Sequence, residues 1–272
     1  MGGQSPEPGD AVTPSKVRAY LWINSRFYLG LGAPRTARRY PHCRLRAALG
    51  HSPDQVRAAV DQYRSGGGVR SINFRCARVT VPGSDCDLFV KEFPSLRPLH
   101  GLERRLRCSR VDRSWRAGHL LPRLGLLTPR VIGAAQAWSA QTGVVEYLVT
   151  EWMEGVVPFP ELLKQTPADD RAPLLEEFAR HMRLWHDRGV YLRDLVKNVL
   201  VTGTDGARQY LLTDLDGLHP IRWPNRSRLL FHMRQLAHWA KPLSDGEARA
   251  ICAGYLGDDS VGLEHEILES LS

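Results

Sequence analysis

The chain has 272 residues, of which 43% are hydrophobic and 24% are charged. This is an ordinary globular composition; it excludes wholesale disorder, and the length predicts one large or two modest domains. The longest apolar stretches are interrupted by arginine or aspartate well before 18 residues, so no membrane-spanning helix is expected. The N-terminus lacks the basic segment and apolar run of a signal peptide, and Pro6 stands where a myristoylation signal has serine or threonine. We therefore expect a soluble cytosolic protein.

The formal net charge of +8 favours an anionic partner, and only five of the 37 basic residues are lysines. Nucleic acid, a phosphorylated glycolipid and an acidic membrane surface all fit this charge, which by itself does not choose between them. In a chain so poor in lysine, each lysine is informative. The five cysteines form no C-x-x-C pair and no zinc-like spacing, which predicts reduced structural thiols.

The first part of the chain is predicted to be a disordered lead-in over residues 1–15 and a helical N-terminal extension over residues 16–68. Its clearest helix begins at Ser52 and Pro53, a cap followed by proline at the first helical position. Residues 69–93 contain alternating apolar positions around a Pro-Gly-Ser-Asp turn, which predicts an antiparallel hairpin.

A basic helix is predicted over 101–121, and strands near 129–133 and 144–150. Its arginines 104, 105, 107, 110 and 113 are interpreted as a solvated face or as a contact for acidic lipid.

Beyond Gly155 the chain becomes mostly helical, with Thr166 and Asp169 as a capping pair for one helix. Short strands are expected at 198–202 and 209–213, and helices from about 226 onward. The domains are thus a strand-rich lobe, 69–154, and a helical lobe, 155–272.

The most informative stretch carries Asp194 and Asn198 in a loop after a helix, followed by a short hairpin that ends at Asp214. Phosphoryl transfer needs these groups: a carboxylate that orients the attacking hydroxyl and accepts its proton, and an amide with a second carboxylate that hold magnesium. A rigid hairpin would keep the two aspartates close although they are about twenty residues apart.

With these motifs the sequence resembles the protein-kinase-like superfamily, and within it the lipopolysaccharide core kinases, which phosphorylate heptose or 3-deoxy-manno-octulosonic acid. The resemblance covers residues 69–256 and is carried by the segments 88–91, 109–115, 124–130, 147–155, 194–198, 214–217 and 234–256. It implies an α+β, bilobal protein-kinase-like fold with a small antiparallel-sheet N-lobe and a mostly helical C-lobe.

The resemblance also implies roles for individual residues. Lys91 would be the strand lysine that holds the nucleotide phosphates, and Asp194 would be the catalytic base. Asn198 and Asp214 would bind magnesium. The backbone from Glu151 to Met153 would be the hinge that meets adenine. Ser71 ends the segment 66–71, which lies where a phosphate-covering turn belongs but lacks the G-x-G-x-x-G spacing.

Several residues depart from the kinase pattern. Leu192 replaces the usual histidine before Arg-Asp, and Asn198 follows Asp194 by four residues instead of five. Asp216 is an alternative metal ligand to the favoured Asp214. The helix carboxylate that should pair with the strand lysine is also unclear: the alignment places Ser114 there, with Asp112 and Glu103 as substitutes. His186, which follows the apolar stripe of its helix, is interpreted as structural.

The short segment after Asp214 does not accommodate the long activation segment with which a protein kinase docks a peptide. The predicted function is therefore an ATP- and magnesium-dependent phosphotransferase acting on a sugar or glycolipid hydroxyl, with contact to an acidic membrane surface and no nucleic acid partner. The alternatives are a non-catalytic kinase-like binding module and, less favoured, a protein kinase or an aminoglycoside-type kinase. The sequence gives no indication of the oligomeric state.

Overall fold

The computed structural model describes residues 39–40, 43–48, 51–66, 69–70, 75–93, 110–139, 143–204, 207–220, 226–257 and 263–271. The described residues group into two compact units. The sheet unit contains those up to Phe159 together with Lys197–Leu218, and the helical unit contains Pro160–Val196 and the residues from His219 onward. The predicted lead-in, 1–15, lies outside the described residues, and the predicted lobe boundary at residue 155 stays a prediction.

The elements follow in chain order. The strands are β1 (Arg39–Tyr40), β2 (Cys43–Ala47), β3 (Val69–Arg70), β4 (Cys76–Val79), β5 (Leu88–Phe93), β6 (Val131–Ser139), β7 (Gly143–Glu151), β8 (Val157–Pro158), β9 (Val190–Leu192), β10 (Val199–Thr202), β11 (Gln209–Leu212) and β12 (Leu218–Pro220). The α-helices are α1 (Pro53–Arg64), α2 (Arg110–Leu120), α3 (Phe159–Gln165), α4 (Ala168–Asp187), α5 (Arg226–Ala240), α6 (Asp245–Leu256) and α7 (Glu264–Leu271). No helix of the described part of the chain is both long and apolar enough to cross a membrane.

The sheet unit is built on a seven-stranded antiparallel sheet in the order β1-β2-β6-β7-β5-β4-β3. The predicted hairpin is present as β4 and β5, whose register pairs Cys76 with Lys91. Helix α1 covers the sheet with Val56, Val60 and Tyr63, all of which belong to one buried cluster with strand residues. Burial of each such side chain contributes about 1.5–3 kcal/mol.

The prediction of a helical extension over 16–68 is correct for α1 and wrong for residues 43–47. These residues form β2, which pairs antiparallel with β6 over five positions. Apolar and basic residues alternate along Cys43–Ala47, a period of two that is typical of a strand. Helix α1 and β2 are therefore integral to the sheet unit.

Helix α2 packs closely on the sheet, and a glycine permits the approach. A methyl group at Gly118 would lie 2.2 Å from the Cγ2 atom of Val131. Val111 and Trp115 of the same helix belong to a buried cluster with Val131 and Leu148 of the sheet. The close packing fixes the helix next to the strands from which the candidate site is built.

Helices α4 and α6 pack against each other in the helical unit. Helix α4 buries an apolar stripe that includes Phe178 and Trp185. The predicted capping pair is wrong, because Pro167 is the N-cap residue and makes no side-chain cap. The Thr166 hydroxyl instead donates to the Leu162 carbonyl, at 2.8 Å, and so closes the preceding helix α3.

Candidate active site

Lys91 lies in β5, between β7 and β4, where its backbone pairs with Leu148 and Cys76. Its side chain is 28% exposed, and its Nζ donates to Asp214 Oδ1 at 2.5 Å. The same Nζ lies 5.1 Å from the centroid of the Phe93 ring, in cation–π geometry. An ammonium and a carboxylate separated by 123 positions in the sequence are thus in direct contact.

Asp214 lies two positions after the end of β11 and has a left-handed backbone, with φ 52° and ψ 51°. Among the described residues it is the only non-glycine residue with positive φ. Such a conformation costs an L-residue free energy, although aspartate tolerates it better than most residues. The Thr128 hydroxyl donates to the Leu212 carbonyl, and the Leu212 N–H donates to the Leu127 carbonyl. Both backbone polar groups of Leu212, near the end of β11, are therefore hydrogen-bonded to residues 127 and 128.

Asn198 lies beside this turn. Its carbonyl oxygen accepts from both the backbone N–H of Thr213, at 2.8 Å, and the Thr213 hydroxyl, at 2.9 Å. Strands β10 and β11 form the predicted hairpin between Asn198 and Asp214, with Val199 opposite Leu212. The sheet unit therefore places the backbone of Asn198 next to the turn whose Asp214 contacts Lys91.

Asp216 has different partners from Asp214. Its carboxylate accepts from Arg110 Nε at 2.5 Å, and its backbone carbonyl accepts from Arg113 Nε at 3.0 Å. Its side chain is only 10% exposed, compared with 35% for Asp214. Arg110 and Arg113 are exposed, as expected for a solvated face, and both also contact the aspartate turn, a partner that the sequence pattern did not indicate.

The two carboxyl groups share a hydrogen bond, and their pKa values move apart. Burial acts to raise the pKa of Asp214, but the bond with Asp216 and the Lys91 ammonium outweigh it and hold the pKa below its usual value. For Asp216, burial and the bond with Asp214 raise the pKa against the opposing effect of Arg110. Asp214 is therefore the more readily ionised of the two.

The helix partner expected for the strand lysine is not at Ser114. This hydroxyl is buried and donates to the Arg110 carbonyl within α2, at 3.0 Å, so it gives Lys91 no carboxylate. Glu103 lies outside the described residues. The structure shows Asp214 as the carboxylate in contact with the ammonium of Lys91.

Asp194 occupies the turn that follows β9 and belongs to the helical unit. Two side chains of α5 hold the backbone directly before it. His232 Nε2 contacts the Leu192 carbonyl at 2.9 Å, and Gln235 Nε2 donates to the Arg193 carbonyl at 2.7 Å. Neither α5 residue was expected from the sequence, where both appear only as polar positions of an amphipathic helix.

The predicted hinge runs from Glu151 to Met153 in the sheet unit. The Glu151 carboxylate accepts from the backbone N–H of Arg130 at 2.7 Å, and the Trp152 N–H donates to the Asp87 carbonyl at 2.8 Å. Met153 is half-buried. The remaining nucleotide candidate, Ser71, lies outside the described residues.

The turn at Asp214 and the neighbouring Asn198 carry oxygen atoms of the kind that binds magnesium. Magnesium prefers carboxylate and amide oxygens, and it is usually held by one or two carboxylates together with substrate phosphates. Asp214 and Asn198 offer such a set. Within the described ranges no group of three or more histidine, cysteine, aspartate or glutamate side chains could enclose a metal ion by itself. The arrangement thus fits a cation that phosphate oxygens also bind.

Comparison with solved structures finds similar folds. The structure of WaaP in complex with acyl carrier protein matches with a TM-score of 0.53 and 17% identity, over 84% of this chain and 99% of that one. Two further kinase structures match with lower scores. A divergent kinase of the Toxoplasma parasitophorous vacuole that lacks the glycine-rich loop gives 0.40 at 15% identity, covering 82% of this chain and 80% of that one. The Mycobacterium tuberculosis PknI kinase domain gives 0.38 at 14%, covering 89% and 91%.

The fold is therefore protein-kinase-like, with an antiparallel sheet and a helical C-terminal part, as predicted. The lipopolysaccharide kinase (Kdo/WaaP) family matches residues 99–255. The chain belongs to this family, which confirms the resemblance and supports a kinase role related to lipopolysaccharide. No curated protein matches the chain significantly.

Proposed function

We propose that this protein transfers the γ-phosphate of ATP to a sugar hydroxyl of the lipopolysaccharide inner core, with magnesium as the metal. Family membership supports the kinase reaction and the lipopolysaccharide context. The observation that carries the proposal is the contact between Lys91 and Asp214 beside Asn198, because these are the groups that phosphoryl transfer requires around a nucleotide.

The sheet unit supplies the groups for nucleotide binding. The Lys91 ammonium, 28% exposed and neutralised by Asp214, would hold the nucleotide phosphate oxygens. Asn198 and Asp214 would hold magnesium, which supplies positive charge against the phosphates when it is bound. The hinge backbone at Glu151–Met153 would bind adenine, and Ser71 would lie near the phosphates.

Asp194 would accept a hydrogen bond from the acceptor hydroxyl and orient its oxygen toward the γ-phosphorus. It would take the hydroxyl proton as the new oxygen–phosphorus bond forms, while the bond from the γ-phosphorus to the β–γ bridging oxygen breaks and ADP leaves. General-base positioning of this kind contributes roughly 10²–10⁴-fold to the rate.

The acceptor class follows from the short chain after the metal turn. Helix α5 begins at Arg226, only twelve positions after Asp214, which leaves little chain for a peptide-docking segment. A net charge of +8 suits an acceptor that carries phosphates and sugar carboxylates. Since ATP is cytosolic and such a glycolipid is bound in a membrane, we propose that the protein works at the cytosolic face of the inner membrane, in peripheral contact with its acidic surface.

The proposal is tested by ATP consumption with delipidated core oligosaccharides, free aminoglycosides and generic protein substrates. We expect turnover with the oligosaccharides. Asp194→Asn should lower kcat by about 10²–10⁴-fold while magnesium-ATP affinity stays unchanged. Asp170→Asn, at an exposed position in the first turn of α4, is the matched control and should keep full turnover.

Other outcomes reject the assignment. Unchanged turnover of Asp194→Asn would remove this residue from the reaction. Turnover with the aminoglycosides or the protein substrates instead would replace the acceptor class. If the protein is a non-catalytic binding module, we expect neither turnover nor a thermal shift with magnesium-ATP. A kinase that binds this ligand should show the shift, because a ligand at a hundred times its Kd adds about 2.7 kcal/mol to the free energy of unfolding.

A further inference from the structure

A hydrogen-bonded chain of three side chains links helices α4, α5 and α6 to the backbone that precedes Asp194. The Tyr255 hydroxyl lies 2.8 Å from His186 Nδ1, and His186 Nε2 lies 2.8 Å from His232 Nδ1. His232 Nε2 lies 2.9 Å from the carbonyl oxygen of Leu192. All four residues belong to the helical unit.

The backbone carbonyl fixes the direction of the whole chain. A carbonyl oxygen only accepts, so His232 must carry its proton on Nε2. The Nδ1 atom of neutral His232 then accepts from His186 Nε2–H, and His186 Nδ1 accepts from the Tyr255 hydroxyl. Each link therefore has one donor and one acceptor, and each imidazole is held in a single tautomer.

The surroundings keep both imidazoles neutral. His232 is fully buried, and burial lowers its pKa to about 4 against the opposing hydrogen bond to Leu192. Burial, His232 and the Arg183 guanidinium together lower the pKa of His186 to about 3. The His232 ring is also stacked on Tyr191, with centroids 4.4 Å apart and planes inclined by 13°. Orientation is thus fixed by stacking as well as by hydrogen bonds.

Leu192 is the residue at which the kinase-like pattern would place histidine. Its side chain is completely buried and apolar, so the carbonyl group is its polar contact with α5. Gln235 holds the next carbonyl, that of Arg193, from the following turn of the same helix. Two consecutive peptide groups directly before Asp194 are therefore bonded to α5.

We propose that His232, oriented by His186 and Tyr255, is a positioning residue that sets the backbone of the Asp194 turn through the Leu192 carbonyl. The inference rests on the proposed role of Asp194 in phosphoryl transfer. Leu192 stands where the kinase-like pattern has a histidine, and His232 of α5 supplies an imidazole that bonds the backbone at this position instead. Such a residue acts on the geometry of the reacting groups and leaves nucleotide binding, which the sheet unit provides, unchanged.

Three substitutions of His232 separate this role from simple packing. Glutamine places its Nε2 as many bonds from Cβ as the histidine Nε2 and restores the donor to Leu192. Asparagine reaches only the position of Nδ1 and contacts His186 alone, and leucine makes neither bond. The readout is steady-state hydrolysis of magnesium-ATP, together with turnover on the delipidated core oligosaccharides.

We expect His232→Gln to keep kcat within about twofold, whereas His232→Asn and His232→Leu lose about 10- to 100-fold, since small misplacements of catalytic groups cost up to roughly 10²-fold. The KM for ATP should stay unchanged in all three variants. His238→Leu makes the leucine substitution at an exposed position of the same helix and should have no effect.

The outcomes separate the inference from the proposed function. Equal kcat values for His232→Gln and His232→Asn would overturn the positioning role, whether or not His232→Leu folds. A rise in the KM for ATP that parallels the loss of kcat would also overturn it. A wild-type protein without turnover, or an Asp194→Asn variant with full turnover, would instead refute the proposed function and remove the basis of the inference.

Discussion

At the scale of single residues, the site depends on two aspartates with opposite environments. Asp214 faces Lys91 and is 35% exposed, whereas Asp216 is 10% exposed and bonds Arg110. A metal ligand must be ionised and accessible, and the pKa of Asp214 is lowered while that of Asp216 is raised. We therefore propose that Asp214 binds the metal and that Asp216 orients it.

Asparagine substitutions distinguish these roles. Asp214→Asn removes the charge that a cation needs, and the loss of a charged hydrogen-bond partner costs about 1.5–3 kcal/mol, or roughly 10- to 100-fold in affinity. In Asp216→Asn the side-chain amide still donates to Asp214 and accepts from Arg110, so we expect the affinity for magnesium-ATP to fall by less than about threefold. The measurement is ATP binding by calorimetry with and without magnesium.

Removal of magnesium provides the control for this pair. ATP affinity without metal should differ little between the wild type and Asp214→Asn, because the lost interaction runs through the cation. If instead Asp216→Asn loses the metal-dependent affinity and Asp214→Asn retains it, Asp216 is the ligand.

At the scale of elements, the contact between α4 and α6 depends on Gly254. A methyl group at this position would lie 2.1 Å from the Glu176 carbonyl oxygen, a backbone atom that cannot move away by a side-chain rotation. Because α4 carries His186 and α6 carries Tyr255, the same contact keeps the hydrogen-bonded chain assembled.

Gly254→Ala should therefore destabilise the protein by about 1–3 kcal/mol, the usual cost of overpacking. Gly246→Ala is the matched control in the same helix, since its methyl group would meet nothing closer than 4.0 Å. Alanine is favoured over glycine in helices by up to about 1 kcal/mol, so the control should be neutral or stabilising. Equal urea midpoints for the two variants would contradict this prediction, because they would show that α4 and α6 can move apart at Gly254 without loss of stability.

At the scale of the whole molecule, the buried histidines predict how stability depends on pH. In the unfolded chain a histidine titrates near 6.5, whereas the folded pKa values of His232 and His186 are about 4 and about 3. Below pH 6.5 the unfolded state binds protons that the folded state does not, so the free energy of unfolding falls as the pH falls. The loss from pH 7 to pH 5 is about 2 kcal/mol for His232, and His186 adds to it.

Urea unfolding at pH 7 and pH 5 checks this expectation. The wild type should lose more stability between the two pH values than His232→Gln, which has no titrating group at that position. His238→Gln removes a histidine at an exposed position of the same helix and is the control for the loss of an imidazole. Identical pH dependence for the wild type and His232→Gln would mean that folding leaves the pKa of His232 unchanged.

The two hairpins of the sheet unit were accessible to sequence reasoning because their signals are local. The alternating pattern around the turn at residues 82–85 predicted β4 and β5, and the strands predicted at 198–202 and 209–213 are present as β10 and β11. The helical extension predicted over 16–68 is wrong at residues 43–47, because strand β2 is stabilised by its pairing with the distant strand β6.

The sequence by itself determined the type of chemistry: a strand lysine, a loop with Asp194 and Asn198, and an aspartate after a hairpin, in kinase-like order. Only the tertiary structure decided the partners of these groups. Arg110 meets Asp216, and His232 meets the Leu192 carbonyl, across separations of 106 and 40 positions. No local pattern encodes such pairs, because the partner of a buried polar group is set by which helices the hydrophobic core brings together.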